Sequence, residues 1–283
     1  MKSTLRYLLY IGLSLLLAFF IRVFLCNFYW VPTDSMAPTI QPGDFMLAEK
    51  WTYGARIFTS LKFDNESDPP MKRVLGFGRI QRNDVVLFNF PYRSDWDTIR
   101  MDVDNVMVKR CIGLPGDSLS IIDSYYHVSG LSDTLGYIPG QRQLAGHRGA
   151  LDSTLMRTYP FDTIQFQWDI RNFGPLYIPA AGTTIALTPQ NLALYNKQIV
   201  YETNAVIRQE DTLVYINDTL RHEYTFRSNW YFIAGDKVMN SQDSRYTGLI
   251  PEAYIIGKAS FLLTSKDRYS GEIRWNRMFK RIK

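Results

Sequence analysis

The stretch from Tyr7 to Leu25 is apolar at every position except Ser14 and Arg22. As a helix rising about 1.5 Å per residue, it is about the length needed to cross a bilayer. It predicts a single transmembrane helix. The alternative is a removable signal peptide, but the apolar run is long for one and no small-x-small cleavage pattern follows it. Arg22, near the far end, is placed to snorkel to the interface, with Tyr29 and Trp30 in the aromatic belt. Lys2 and Arg6 precede the span, whereas its downstream flank carries no Lys or Arg until Lys50. That asymmetry predicts an inside N-terminus and an outside C-terminus.

The rest of the chain is long enough for a substantial core. The 283 residues are 46% hydrophobic and 14% aromatic, which excludes disorder and suits one exported, β-rich body. The formal charge of +5 is concentrated in Lys266 to Lys283, where seven Lys/Arg face two Asp/Glu. Everything before this tail balances, so nucleic-acid binding is not expected. Trp275, Met278, Phe279 and Ile282 recur at helix-like spacing, as in a helix lying on anionic lipid; a solvated basic terminus is the plainer reading. Cys26 and Cys111 are far apart and in no CxxC or Cys/His spacing, so no metal site is expected. The GFG at Gly76 to Gly78 lacks the third glycine of a dinucleotide fingerprint, and no P-loop is present, so no cofactor is expected.

Chemistry enters at Val106 to Ser120, VMVKRCIGLPGDSLS, a strand pattern with a lysine at its centre. Side chains alternate along a strand, so Met107, Lys109 and Cys111 share one face, and Val106, Val108, Arg110 and Ile112 the other. Lys109 is thus hemmed in by apolar neighbours. Burial favours the neutral amine, which can act as a general base near physiological pH. The bland reading is a lysine snorkelling from a strand edge.

Two further segments bear on that choice. Val31 to Lys50, VPTDSMAPTIQPGDFMLAEK, holds Ser35 between Pro32 and Pro38 directly after the span, in what is by default a turn. Gly235 to Phe261 begins as a polar, turn-rich run, GDKVMNSQDSRYTG, and ends as an apolar strand. Together, the PxxSMxPT, KRxxGLPGD and GDxxxNSxDSRYxG elements, in this order behind an N-terminal span, resemble bacterial type I signal peptidases, which are membrane-anchored Ser/Lys proteases. The resemblance covers roughly residues 7 to 122 and 230 to 262.

It implies that Ser35 is the nucleophile and Lys109 its general base, with Ser241 orienting the lysine. It places Thr33 with the Ser35 amide in an oxyanion hole, Asp243 and Arg245 as supports, and Arg110 as a structural neighbour of the base. Val31, Pro32, Met36 and Met107 are candidates for the pockets that read small substrate side chains. Asp34 stands where relatives often have a small residue, and Lys237-Val238-Met239 departs from a more polar version of its turn. The residue types make chemical sense together: a serine hydroxyl needs a base, and a desolvated lysine serves without the histidine of other serine proteases. The three histidines, His127, His147 and His222, all fall outside the matched elements.

The expected fold is mainly β: a signal-peptidase-like β catalytic core with an inserted β subdomain, preceded by one N-terminal transmembrane helix. The expected divisions are a short cytoplasmic segment 1–6, the span 7–25, the core 31–122 and 230–262, a non-catalytic insertion 123–229, and a basic tail 263–283. Within the insertion, Thr188-Pro189 predicts a short helix through Lys197, followed by strands at Ile199–Glu202, Ala205–Arg208, Thr212–Ile216 and Glu223–Phe226. The implied function is removal of signal peptides from exported preproteins at the outer face of the bacterial cytoplasmic membrane. The implied partners are preproteins and the lipid bilayer, with the export machinery a further candidate. Two alternatives are weighed against it. A self-cleaving repressor would carry a DNA-binding domain in place of the span, and a catalytically dead relative or membrane-tethered β scaffold would not need Ser35, Lys109 and Ser241 intact.

Overall fold

The structure, a computed structural model, describes residues 2–60 and 67–283. Met1, the start of the expected 1–6 segment, and residues 61–66 of the expected core lie outside the described residues. The fold is mainly β behind an N-terminal helix, and the chain forms two compact units.

The first unit comprises Met1–Pro32, Pro42–Arg79 and Ile256–Lys283. Its helix Lys2–Phe20 widens into a π turn at Ile21–Leu25. The apolar window Thr4–Leu25 buries none of its length against protein, as a lipid-facing helix requires. Its C-terminal carbonyls are not left bare: Lys50 donates from Nζ to Arg22 O at 2.7 Å and from its backbone N–H to Leu25 O at 2.7 Å.

The chain passes straight into the strand Cys26–Trp30, which pairs antiparallel with Asp44–Glu49. That strand alternates buried Asp44, Met46 and Ala48 with half-buried neighbours, the signature of a sheet with one covered face. It pairs in turn with Ile255–Ser265. The helix-like spacing of the tail does not produce a helix. Trp275–Arg277 is a single 3₁₀ turn, and Lys280–Arg281 pairs with Phe261 and Leu262. The cause is a buried charge cluster. Asp44, fully buried, accepts from Arg277 Nη2 at 2.6 Å and Nε at 3.2 Å and from Ser265 Oγ at 2.5 Å. Holding Arg277 there draws the tail along the sheet.

The second unit comprises Thr33–Gln41 and Ile80–Ile255. Its sheet runs Val85–Phe90, Asp102–Gly113, Trp230–Ala234 and Ile250–Pro251, antiparallel throughout. All residues of Val85–Phe90 and of Trp230–Ala234 are buried, so the strand between them is flanked by apolar chain on both sides. A second sheet sets Ser118–Ile122 between Tyr125–Val128 and Phe173–Tyr177.

Segment 123–229 lies wholly within this unit. Its helix does not stop near Lys197 but runs Pro189–Thr203, over residues expected as a strand. Thr188 caps it by accepting from Asn191 N, and Asn204 closes it in the left-handed conformation. The local run Ile199-Val200-Tyr201 has β character, but Leu192, Tyr195 and Ile199 bury one face at helical spacing, and burial wins. Strands follow at Ile207–Glu210, Leu213–Ile216, Thr219–Arg221 and Glu223–Thr225. The turn at Asn217-Asp218 has both residues at positive φ, the two-residue hairpin geometry such pairs favour.

Asp44→Asn removes the counter-charge of buried Arg277, so it is expected to cost about 3–5 kcal/mol and to expose the tail to proteolysis. Denaturant unfolding of the detergent-solubilised chain, with limited proteolysis read by mass, checks this. A loss below about 1 kcal/mol would mean the cluster does not hold the tail.

Candidate active site

The strand Asp102–Gly113 places Lys109 opposite Val86, and Arg110 between Val85 and Ala234. Lys109 is only 2% exposed. Its Nζ donates to Ser35 Oγ at 2.7 Å and to Val108 O at 3.1 Å, and among the described residues no carboxylate bonds to it. Burial lowers its pKa to about 8; Asp243 and Asp236 act to raise it and Arg245 to lower it. The Cys111 thiol, on the same strand, is fully buried and pushed far up by the same desolvation, so it stays a protonated core group.

Ser35 sits in a loop, so its position must come from elsewhere. Lys237 N–H donates to Ser35 O at 3.0 Å. Gly235 allows that approach, since a Cβ there would lie 2.6 Å from Ser35 O and collide with Ser241 Oγ. Thr39 Oγ1 donates to Asp236 Oδ2 at 2.5 Å. Arg110 grips the same carboxylate with Nε at 2.7 Å and Nη2 at 2.6 Å, while its Nη1 donates to Asn83 O at 2.9 Å. Asp236 therefore joins the serine loop, the lysine strand and the turn after Ala234.

Asp243 and Arg245 form a second, wholly buried ion pair, with Nε and Nη2 each 2.8 Å from the carboxylate. Gly235 N–H also donates to Asp243 Oδ2 at 2.8 Å. Burial works to raise the Asp243 pKa, but the adjacent guanidinium outweighs it and holds the carboxyl below its usual range. Ser241 Oγ is buried beside Gly235 and finds no well-formed hydrogen bond among the described residues; Lys109 is bonded to Ser35 and its own strand instead. Thr33 is exposed, Met36 buried and Met107 half-buried in this unit, while Val31, buried, and Pro32, exposed, belong to the other. Sequence reasoning passed over Asp236 and Thr39. The signal for Asp236 was available: an arginine inside an apolar strand needs a carboxylate, and the Gly-Asp that opens the third element supplies it.

A hydroxyl in contact with a desolvated amine, in a β unit, is the constellation of a Ser/Lys hydrolase. A sequence profile described as signal peptidase, peptidase S26, matches residues 4–143 and 174–264, well over half of the chain. The chain belongs to this family and is a serine endopeptidase whose N-terminal apolar helix suits a membrane anchor. It is 26% identical to the signal peptidase I of Buchnera aphidicola subsp. Baizongia pistaciae over 95% of this chain and 79% of that protein. It is 25% identical to that of Aquifex aeolicus over 92% of this chain and 82% of the relative. A solved signal peptidase I structure from Enterococcus faecalis V583 is 18% identical, covering 64% of this chain and 97% of its own, with a TM-score of 0.31.

The Lys109 pKa has a consequence for stability. Between about 8 and the unfolded value of about 10.4, the unfolded chain binds a proton that the native state does not, so stability rises with pH through this window. Below it both states are protonated and the full cost of the buried ammonium, on the order of 3 kcal/mol, is present. Lys109→Met is therefore expected to be at least as stable as the parent at neutral pH and to lose that advantage above about pH 10. Thermal unfolding of both proteins across pH checks this, and a methionine variant markedly less stable at pH 7 would make Lys109 a charged structural partner.

Proposed function

We propose that Ser35 and Lys109 are the nucleophile and general base with which this signal peptidase removes signal peptides from preproteins. The observation that carries the assignment is the 2.7 Å contact between Lys109 Nζ and Ser35 Oγ, with the amine 2% exposed and its pKa lowered to about 8. In the neutral form Lys109 takes the Ser35 proton as Oγ attacks the scissile carbonyl. The proton then passes to the departing amine, leaving an acyl-enzyme that water attacks with the same base. The oxyanion falls to the Ser35 N–H and, on this reading, the Thr33 hydroxyl, donors of a kind each worth about a hundredfold to a thousandfold in rate. Ser241 and the Asp243–Arg245 pair would support the base, and Arg110 would hold Asp236. Met36 and Met107 would be apolar residues that admit small substrate side chains, and Val31 and Pro32 further candidates for substrate contact, with the substrate bound as an extended strand.

The helix Thr4–Leu25 would anchor the enzyme in the bacterial cytoplasmic membrane with its catalytic units on the outer side, in the same bilayer as the signal peptides of its substrates, and alongside the export machinery. Segment 123–229 would be a non-catalytic addition to the core. Exposed Trp275 and Phe279 beside Lys280 and Arg281 supply the apolar and basic groups for contact of the tail with anionic lipid.

Ser35→Ala and Lys109→Ala are each expected to abolish preprotein cleavage while leaving a folded, membrane-inserted chain, because nucleophile and base act as a unit. Substantial turnover by either removes that residue from its role. The parent rate should rise roughly tenfold from pH 7 to a plateau above pH 9, along a limb near 8; a flat profile over that range would contradict the amine as base.

The orientation has its own test. Protease added outside intact spheroplasts should digest the chain beyond Trp30. Protection until the membrane is lysed would reverse the topology.

A further inference from the structure

The residue immediately before the nucleophile carries a charge, and that charge is used. Asp34 Oδ2 forms an ion pair with Lys237 Nζ, and Asp34 Oδ1 accepts from Asn240 Nδ2 at 3.1 Å. The same Lys237 donates its backbone N–H to Ser35 O at 3.0 Å. One residue of the turn thus holds the chain on both sides of the Ser35 Cα: its side chain grips the residue before, its main chain the carbonyl after. The neighbouring Asp236 turns the other way, to Thr39 and Arg110. Residues 236–240 consequently clasp the serine loop at 34, 35 and 39 and tie it through Arg110 to the strand that carries Lys109.

The pair is poorly suited to a stabilising role. The side chains of Lys237 and Asp34 are 43% and 41% exposed, and ion pairs that open to water contribute little to stability. Nor does either group face the amine closely enough to set its titration: the charges acting on Lys109 are Asp243, Arg245 and Asp236. What the pair does constrain is the rotation of the loop backbone at Ser35. An attacking oxygen must be held within about 0.5 Å of its productive position, and no helix or strand does that for residues 33–41. Asp34 and the turn Lys237-Val238-Met239 are the two places where the chain departs from the resemblance, and the ion pair joins them.

The geometry points to Asp34 as a positioning residue for the nucleophile, with Lys237 as its partner: an ionic clasp that sets Ser35 Oγ against Lys109 Nζ and acts on the chemical step rather than on substrate binding. The inference rests on the Ser35–Lys109 assignment above. The test uses full-length enzyme in detergent with a preprotein substrate. Asp34→Asn and Lys237→Met should each lower kcat by about threefold to fivefold while KM stays within about twofold. The unfolding midpoint and the pH of the rate limb should stay in place. The exchanged variant Asp34→Lys/Lys237→Asp should recover much of the lost kcat. High salt, near 1 M, should slow the parent and leave Asp34→Asn unaffected, since only the parent has an ionic clasp to screen.

Parent-like kcat in both single variants overturns the proposal, as does a change confined to KM. A fall in the unfolding midpoint that tracks the loss of rate, with no recovery on charge exchange, shows a structural role and also overturns it. Ser35→Ala in the same assay separates the two readings: cleavage by that variant sinks the dyad itself. Loss of cleavage there, beside a fully active Asp34→Asn, sinks only the clasp.

Discussion

Among the described residues, the buried cations are Lys109, Arg110, Arg245 and Arg277, and only the lysine lacks a carboxylate partner. Arg110 has Asp236, Arg245 has Asp243 and Arg277 has Asp44. The difference follows from the chemistry of the two side chains. A guanidinium cannot shed its charge, so in a dry interior it must be neutralised by an anion. An ammonium can lose its proton instead. Lys109, bonded to a hydroxyl and a carbonyl, is placed where becoming neutral is the cheapest response to burial.

Keeping the lysine dry and undisturbed explains much of what surrounds it. Fully buried strands lie on either side of Asp102–Gly113. Arg245 works against the pull of its partner Asp243 on the amine, and burial outweighs what Asp243 and Asp236 do to restore its proton. An isolated carboxylate at hydrogen-bond distance would raise the pKa and keep the amine protonated. The same carboxylates are also put to mechanical use. Asp236 reaches Thr39 and Asp243 accepts from Gly235, so the groups that neutralise the arginines also shape the turn on which the serine loop rests.

The parts of this arrangement that were legible in the sequence are those governed by local chemistry. A lysine in an apolar strand, a serine between two prolines, a long apolar run and Pro-Gly-Asp turns all announce themselves within a few residues. What was not legible depends on partners far along the chain. The tail pattern at Trp275 to Ile282 suits a helix taken alone, but Arg277 is held by the distant Asp44 and Lys280–Arg281 pairs with Phe261 and Leu262. Ile199 to Glu202 reads as β until the cap at Thr188 and the buried stripe below it are seen to continue the helix. Asp236 was hidden in plain view, because its role follows from needs of Arg110 and Thr39 rather than from any pattern around it.

The anchor enters the energetics differently from the core. The helix buries nothing against protein, yet its last turn flows into Cys26–Trp30 with no intervening linker, and Lys50 binds the carbonyls at its end. A flexible tether would let the first sheet wander from the bilayer, whereas a span continuous with a paired strand fixes its approach. For a substrate whose cleavable segment is itself held in a membrane, fixing that approach turns a search through volume into a search across a surface. The gain in effective concentration requires no added contact with the substrate.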